Sequence, residues 1–357
     1  MFNEATAAAP APVETREEIT FSATGGEYFR IWIVNLLLTI VTLGIYSAWA
    51  KVRRNQYFYS STRLAGSSFE YHGNPVAILK GRLIALVLFG VYNVAFRYSL
   101  AAGLVMMAVF AAVMPWLLWR SLQFSLYNSS YRGIRFGFDG SARQAYLAFL
   151  GMPVLTVISL GLLTPYAHYR LKKFQHTQAR YGASQFGFDA RVGGFYKIYL
   201  AALGFFILTV ILTAIITMVM MGLALWLIPG AEPERIGALS TIGGMLLGYP
   251  MGIACTWLIM AKLQNLVWNH TVLDAHRFQS GMRWGRLAFI YATNTLAIIF
   301  TLGLFTPFAK IRAMKYRLES ISLQAHGNLD QVTAQNAGDV NATGEGMADF
   351  LGVDLSM

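Results

Sequence analysis

The chain has 357 residues, of which 56% are apolar and only 13% charged, with a mean hydropathy of +0.48. Ordinary soluble domains do not reach that balance, so the composition points to a membrane-embedded protein. The net charge of +11 is spread along the chain after apolar stretches. That distribution suits anionic lipid headgroups and argues against nucleic acid as a partner.

Residues 1–18 are rich in Ala and Pro, carry acidic residues and lack the basic start and apolar core of a cleaved leader; they read as a disordered lead. Residues 19–327 read as one repeat-built transmembrane domain, with units near 21–68, 69–135, 136–185, 186–277 and 278–327. Residues 328–357 read as an acidic, flexible tail.

Each unit opens on an extended run: FSATGG (21–26), FEYHG (69–73), FGFDG (136–140), FGFDA (186–190) and FQSG (278–281). Aromatics at alternate positions predict strands with one buried face, which must pair with one another outside hydrocarbon. Apolar windows follow at Leu83–Phe96, Leu100–Trp119, Ile198–Leu227 and Ile242–Ala261; a helix needs about 20 such residues to cross a bilayer.

Three shorter units share a gapless segment, TLGIYSAWAKVR (42–53), SLGLLTPYAHYR (159–170) and TLGLFTPFAKIR (301–312). Gly44, Gly161 and Gly303 are placed to end one helix. Thr-Pro pairs ending in Pro165 and Pro307 are placed to start the next, with Thr as N-cap. If each short unit crosses once, seven crossings result and the cations divide almost evenly. If the short units dip in and return, four crossings remain, and 26 of the 28 Lys and Arg (28 − 2) lie on one side, with only Arg97 and Arg235 opposite. The positive-inside rule favours the second arrangement, with the C-terminus cytoplasmic.

A basic residue followed by an aromatic four positions on, and by Phe sixteen positions on, recurs at Arg53 (Tyr57, Phe69), Arg120 (Phe124, Phe136) and Arg170 (Phe174, Phe186). Lys262 keeps Phe278 but has Leu266 in the aromatic place, and Arg312 keeps Tyr316 but has Asn328 in the Phe place. Arg53, Arg120, Arg170, Lys262 and Arg312 are therefore candidates to grip lipid phosphates or another anionic ligand, against the plainer reading of interfacial anchors. Asn35, Asn93 and Asn294 are the strongly polar side chains inside apolar stretches, with interhelical hydrogen bonding as their default role.

Several chemistries find no footing. No phosphate loop, HExxH or GxSxG pattern occurs, and the six histidines are not spaced as helical ligand pairs. The lone Cys255 forms no redox or metal pair. No cofactor, metal or catalytic residue is expected, and the chain is not expected to be an enzyme.

The segments TLGIYSAWAKVRRNQYFY, GSSFEYHG and SSYRGIRFGF, together with the TPxAxxR motif, resemble the YjgN-like family of bacterial inner-membrane proteins over about residues 20–325. The resemblance implies a multi-pass inner-membrane protein and brings no activity or catalytic residue with it. The expected fold is a mainly α-helical polytopic membrane protein of five tandem repeat units, with short β-strands at the cytoplasmic face. The expected function is handling or transport of a lipid or other amphipathic anion, with membrane lipids as partners. The alternative is a structural or regulatory role, binding a cytosolic protein through the strands and the acidic tail.

Overall fold

The computed structural model describes residues 14–326 apart from positions 229 and 231. Strands and helices alternate along it. Strands β1 (Glu14–Glu18) and β2 (Thr20–Phe21) lead into α1 (Gly25–Val41), α2 (Ser47–Ser61) and β3 (Thr62–Leu64). Then come β4 (Ser67–Tyr71), α3 (Pro75–Tyr98), α4 (Leu100–Tyr127) and β5 (Ser129–Tyr131). Next are β6 (Ile134–Phe138), α5 (Ala142–Tyr146), a π-helical segment (Leu147–Gly151), α6 (Met152–Ile158), α7 (Thr164–Thr177) and β7 (Ala179–Tyr181). The chain continues through β8 (Ser184–Phe188), α8 (Val192–Leu227), α9 (Pro233–Asn269) and β9 (Thr271–Leu273). It ends on β10 (His276–Ser280), α10 (Trp284–Phe300), α11 (Thr306–Glu319) and β11 (Ile321–His326).

All strands join one antiparallel sheet in the order β1-β11-β10-β9-β8-β7-β6-β5-β4-β3-β2. The two ends of that order are separated only by Ile19, so the sheet closes on itself. Glu14–Glu18 pairs with β11, Thr20–Phe21 pairs with β3, and the Ile19 N–H reaches the Ile321 carbonyl at 3.4 Å. Closure abolishes the edges that an open sheet would expose. Leu64, Tyr131, Tyr181, Leu273 and Leu323 fill the inside, with Ile19, Phe69, Phe136, Phe186 and Phe278 packed against them. The Tyr131 hydroxyl donates to the Leu64 carbonyl at 2.7 Å, and that of Tyr181 to the Tyr131 carbonyl at 2.9 Å.

Residues 14–18, assigned to the N-terminal lead from the sequence, are thus a strand, because β11 offers them a partner. The rest of the lead and residues 327–357 lie outside the described residues. Each strand-like run identified in the sequence is also matched by a second strand that pairs with it through a helical hairpin. Tight turns then join one hairpin to the next. Ala65 and Gly66 (φ 45° and 78°) and Arg132 and Gly133 (φ 49° and 76°) are left-handed pairs, the conformation that two-residue hairpin turns require.

Among the described residues four helices are long and apolar enough to cross a bilayer: α3, α4, α8 and α9. Their 24 to 37 residues span roughly 36–55 Å at 1.5 Å per residue. α3 begins well before the apolar window at Leu83, since Asn74 caps it and Pro75 occupies its first position. α8 and α9 pack closely because small residues face threonines. A Cβ on Gly248 would come within 2.5 Å of the Thr213 hydroxyl, and one on Gly244 would overlap Thr217. The first and last helices also meet: Gly25 leaves room for the Phe308 ring, which lies 5.7 Å from that of Phe29.

Candidate functional site

The three short helical hairpins turn in the same way. Gly44, Gly161 and Gly303 adopt φ of 92°, 87° and 94°, and each N–H bonds back five residues, to Thr39, Thr156 and Ile298 at 2.8 Å. Just before them Leu43, Leu160 and Leu302 are also left-handed, at φ of 49–51°, and 93–95% exposed. The turn satisfies its own polar groups. Thr42, Ser159 and Thr301 hydroxyls accept the N–H of Tyr46, Leu163 and Phe305 at 2.9–3.1 Å.

The Thr-Pro pairs act differently from the N-cap role expected of them. Thr164 and Thr306 hydroxyls donate to the Gly161 and Gly303 carbonyls at 2.6 Å, and α7 and α11 begin at the threonines, with Pro165 and Pro307 in their first turns. The threonines are themselves the first helical residues, with Leu163 and Phe305 in the N-cap positions, so their hydroxyls stand one residue too late to cap. In the middle hairpin the outgoing helix contains a π-turn just before Pro153, a residue that cannot supply a helical N–H.

The tips lie against the starts of the long apolar runs. Arg82, one residue before Leu83, donates to the Ser47 hydroxyl, and the Tyr196 hydroxyl, two residues before Ile198, donates to the Leu162 carbonyl at 3.2 Å.

The asparagines within the apolar stretches differ from one another. Asn294 is buried; its amide donates to the Ala309 carbonyl at 3.0 Å and its oxygen accepts from Arg312 at 3.3 Å. Asn35, at the same place before Gly44, is equally buried, yet its side-chain oxygen has no partner. Asn93 is exposed and bonds its own helix at Phe89, not a neighbouring one.

The five cations do not share one environment. Arg53, Arg170, Lys262 and Arg312 are exposed on α2, α7, α9 and α11. Arg120 is half-buried, stacked 5.9 Å from Trp116 and 5.7 Å from Trp119, with its Nε unpartnered. The position four residues on also divides. Phe124 and Phe174 are core residues, whereas the Tyr57 and Tyr316 hydroxyls bond the residue that precedes α1 and α10.

Sequence reasoning overlooked an open recess of about 590 Å³ beside α10, lined by Lys262, Met282, Arg283, Trp284, Gly285 and Arg286. Arg283 and Arg286 had no motif to mark them. Arg286 lies 5.3 Å over the Tyr316 ring, and Trp284 meets Phe205 of α8 edge to face at 6.1 Å.

At the sheet end of α7, burial lowers the His176 pKa to about 3, helped by the nearby Lys172 charge. Its neutral ring bonds the Thr271 hydroxyl at 3.0 Å and stands edge-on to Trp268. Among the described residues no three metal-ligating side chains come together.

The chain is similar to the inner membrane protein YjgN of Salmonella typhimurium (strain LT2), with 30% identity over 146 residues, 41% of this chain and 37% of that protein. It is also similar to YjgN of Escherichia coli K12, 30% identical over 147 residues, 40% of this chain and 36% of that one. The match thus spans little more than a third of these relatives' length. No solved structure matches it. The pattern of a bacterial protein family of unknown function, DUF898, matches residues 16–350. With that match over most of its length and YjgN proteins among its relatives, the chain belongs to this YjgN-like family of inner-membrane proteins.

Proposed function

We propose that the protein is a non-catalytic handler of anionic membrane lipid, built from five duplicated hairpin units on a closed sheet. In this reading the two long hairpins cross the bilayer, and the three short ones enter one leaflet and return. Strands that flank each short hairpin pair with one another, so both its ends belong on the same side of the membrane. Self-satisfied turns tipped by bare leucines suit hydrocarbon, where an unpaired backbone group is costly. The sheet, both described ends of the chain and most of the cations then lie on the cytoplasmic side.

The observation that carries the lipid reading is the placement of Arg53, Arg170, Lys262 and Arg312. All four are exposed and free of any carboxylate partner among the described residues, on helices that flank exposed apolar faces. Side chains so placed meet headgroup phosphates where the apolar surface meets acyl chains. Native mass spectrometry of the purified protein tests this. Anionic phospholipid should be retained well above its share in the membrane; retention in proportion to membrane composition would refute it.

The regulatory alternative rests on the acidic tail. A closed sheet leaves no free edge among the described residues for strand addition. A cytosolic partner would then use residues 328–357, and their deletion would abolish its capture while leaving lipid retention intact.

A further inference from the structure

We infer that the recess between α9 and α10 is a phosphate-binding site whose occupant is the headgroup of an anionic lipid. This inference rests on the lipid reading above and gives it one address. The recess brings together Lys262, Arg283 and Arg286, with no acidic side chain in its lining and no carboxylate paired to any of the three among the described residues. It also holds the start of α10, where no side chain caps the helix, so free backbone N–H groups add to the cationic field.

A second place in the same molecule shows what this arrangement lacks. The separation that relates Gly44 to Gly303 also relates Tyr57 to Tyr316, Thr24 to Arg283 and Glu27 to Arg286. At α1 the helix start is internally complete. Thr24 caps it, accepting the Glu27 N–H at 3.3 Å, and the Glu27 carboxylate accepts from the Tyr57 hydroxyl at 2.9 Å. At α10 both the cap and the acid are replaced by arginine, while the tyrosine still fixes the helix entry. One helix start brings its own anion; the other brings three cations and space.

Phosphate suits the space better than carboxylate, because two guanidinium forks and an ammonium together match its several oxygens. The walls also favour a lipid source. Trp284 packs on Phe205, and the faces of α8 and α10 expose Phe206 and Phe289, apolar surface for an acyl chain.

The test compares full-length protein with two variants of equal charge loss. Arg283→Gln/Arg286→Gln empties the recess, and Arg63→Gln/Arg135→Gln removes two exposed arginines of the sheet, which have no part in the lipid reading. Binding is measured by native mass spectrometry in titrations with phosphatidylglycerol, phosphatidylcholine and, separately, inorganic phosphate. Circular dichroism and melting temperature confirm folding, and the single Arg286→Gln serves if the double variant unfolds. Saturable binding of one phosphatidylglycerol, weakened about tenfold or more by the recess variant and no more than about twofold by the other, is expected. Equal weakening by both variants would overturn the site in favour of diffuse charge. Phosphatidylglycerol binding that survives emptying the recess would overturn the site but leave the lipid reading standing. Inorganic phosphate binding with the same variant sensitivity, in the absence of lipid binding, would keep the site and remove the lipid.

Discussion

Tyr316 and Arg283 are joined twice through the backbone: the Tyr316 hydroxyl accepts the Arg283 N–H at 2.9 Å and donates to the Arg283 carbonyl at 3.1 Å. A side chain of α11 thereby fixes the residue from which α10 departs. Tyr57 likewise accepts the Thr24 N–H ahead of α1, at 3.0 Å, but gives its proton to Glu27 at 2.9 Å. Tyr316→Phe should cost about 1 kcal/mol, the net worth of a typical hydrogen bond. Because it also loosens Arg283, phosphatidylglycerol binding should weaken with it, whereas Tyr57→Phe should lower the melting temperature alone.

The α8–α9 contact predicts opposite outcomes for two glycines one turn apart. Gly248→Ala forces a methyl group onto Thr213 and should destabilise by about 1–3 kcal/mol, the usual cost of overpacking. Gly252 has open space beside it, and Gly252→Ala should stabilise by about 0.5–1 kcal/mol through helix propensity. Thermal unfolding in detergent micelles distinguishes them.

Leu43, Leu160 and Leu302 test the short hairpins. In a Cys255→Ser background, a cysteine at any of the three should resist membrane-impermeant maleimide from both sides of the bilayer. Arg63→Cys and Glu234→Cys should label from opposite faces. Labelling of the tip cysteines from the periplasm would replace the returning hairpins with full crossings.

Asn35 and Asn294 should respond unequally to removal. Asn294→Leu breaks a bond to Ala309 and strips Arg312 of an acceptor, so a loss of about 1–3 kcal/mol is expected. Asn35→Leu deletes an oxygen that is already unmatched and should cost clearly less. Parallel melting curves decide the ranking.

His176 sets a pH window. Its folded pKa is about 3 against an ordinary 6.5, so between those values the unfolded chain binds the extra proton. The contribution of His176 is therefore present above about pH 6.5 and is lost progressively as the pH drops toward 3. His176→Gln should lower stability at pH 7.5 and flatten the decline to pH 5, measured as melting temperature against wild type.

Much of this architecture was legible in the chain because it follows from short-range physics. Uncharged length identified the four long helices, and period-two aromatics (Phe69/Tyr71, Phe136/Phe138, Phe186/Phe188) located one strand beside each of three helical hairpins. Its partner strand was harder to see. Thr62–Leu64 and Ser129–Tyr131 are only three residues long, too short for alternation to register, and the left-handed pairs Ala65–Gly66 and Arg132–Gly133 that follow them show only in the structure. Glu14–Glu18 had no signal at all: a charged run becomes a strand only because β11 lies beside it. The candidate site divided in the same way. Cations that follow an apolar span stood out by position, whereas Arg283 and Arg286 matter through what Glu27 does at a distant, comparable helix start.

The seal made by residues 14–21 also has a temporal side. The segment that completes the ring leaves the ribosome before any of the helical hairpins, and its last neighbour, Ile321–His326, leaves after all of them. Every helical hairpin must therefore form while the ring stands open, and Leu323 and Ile19 can enter its interior only at the final step. Assembly of this protein is thus a waiting game decided by its most distant pair of strands.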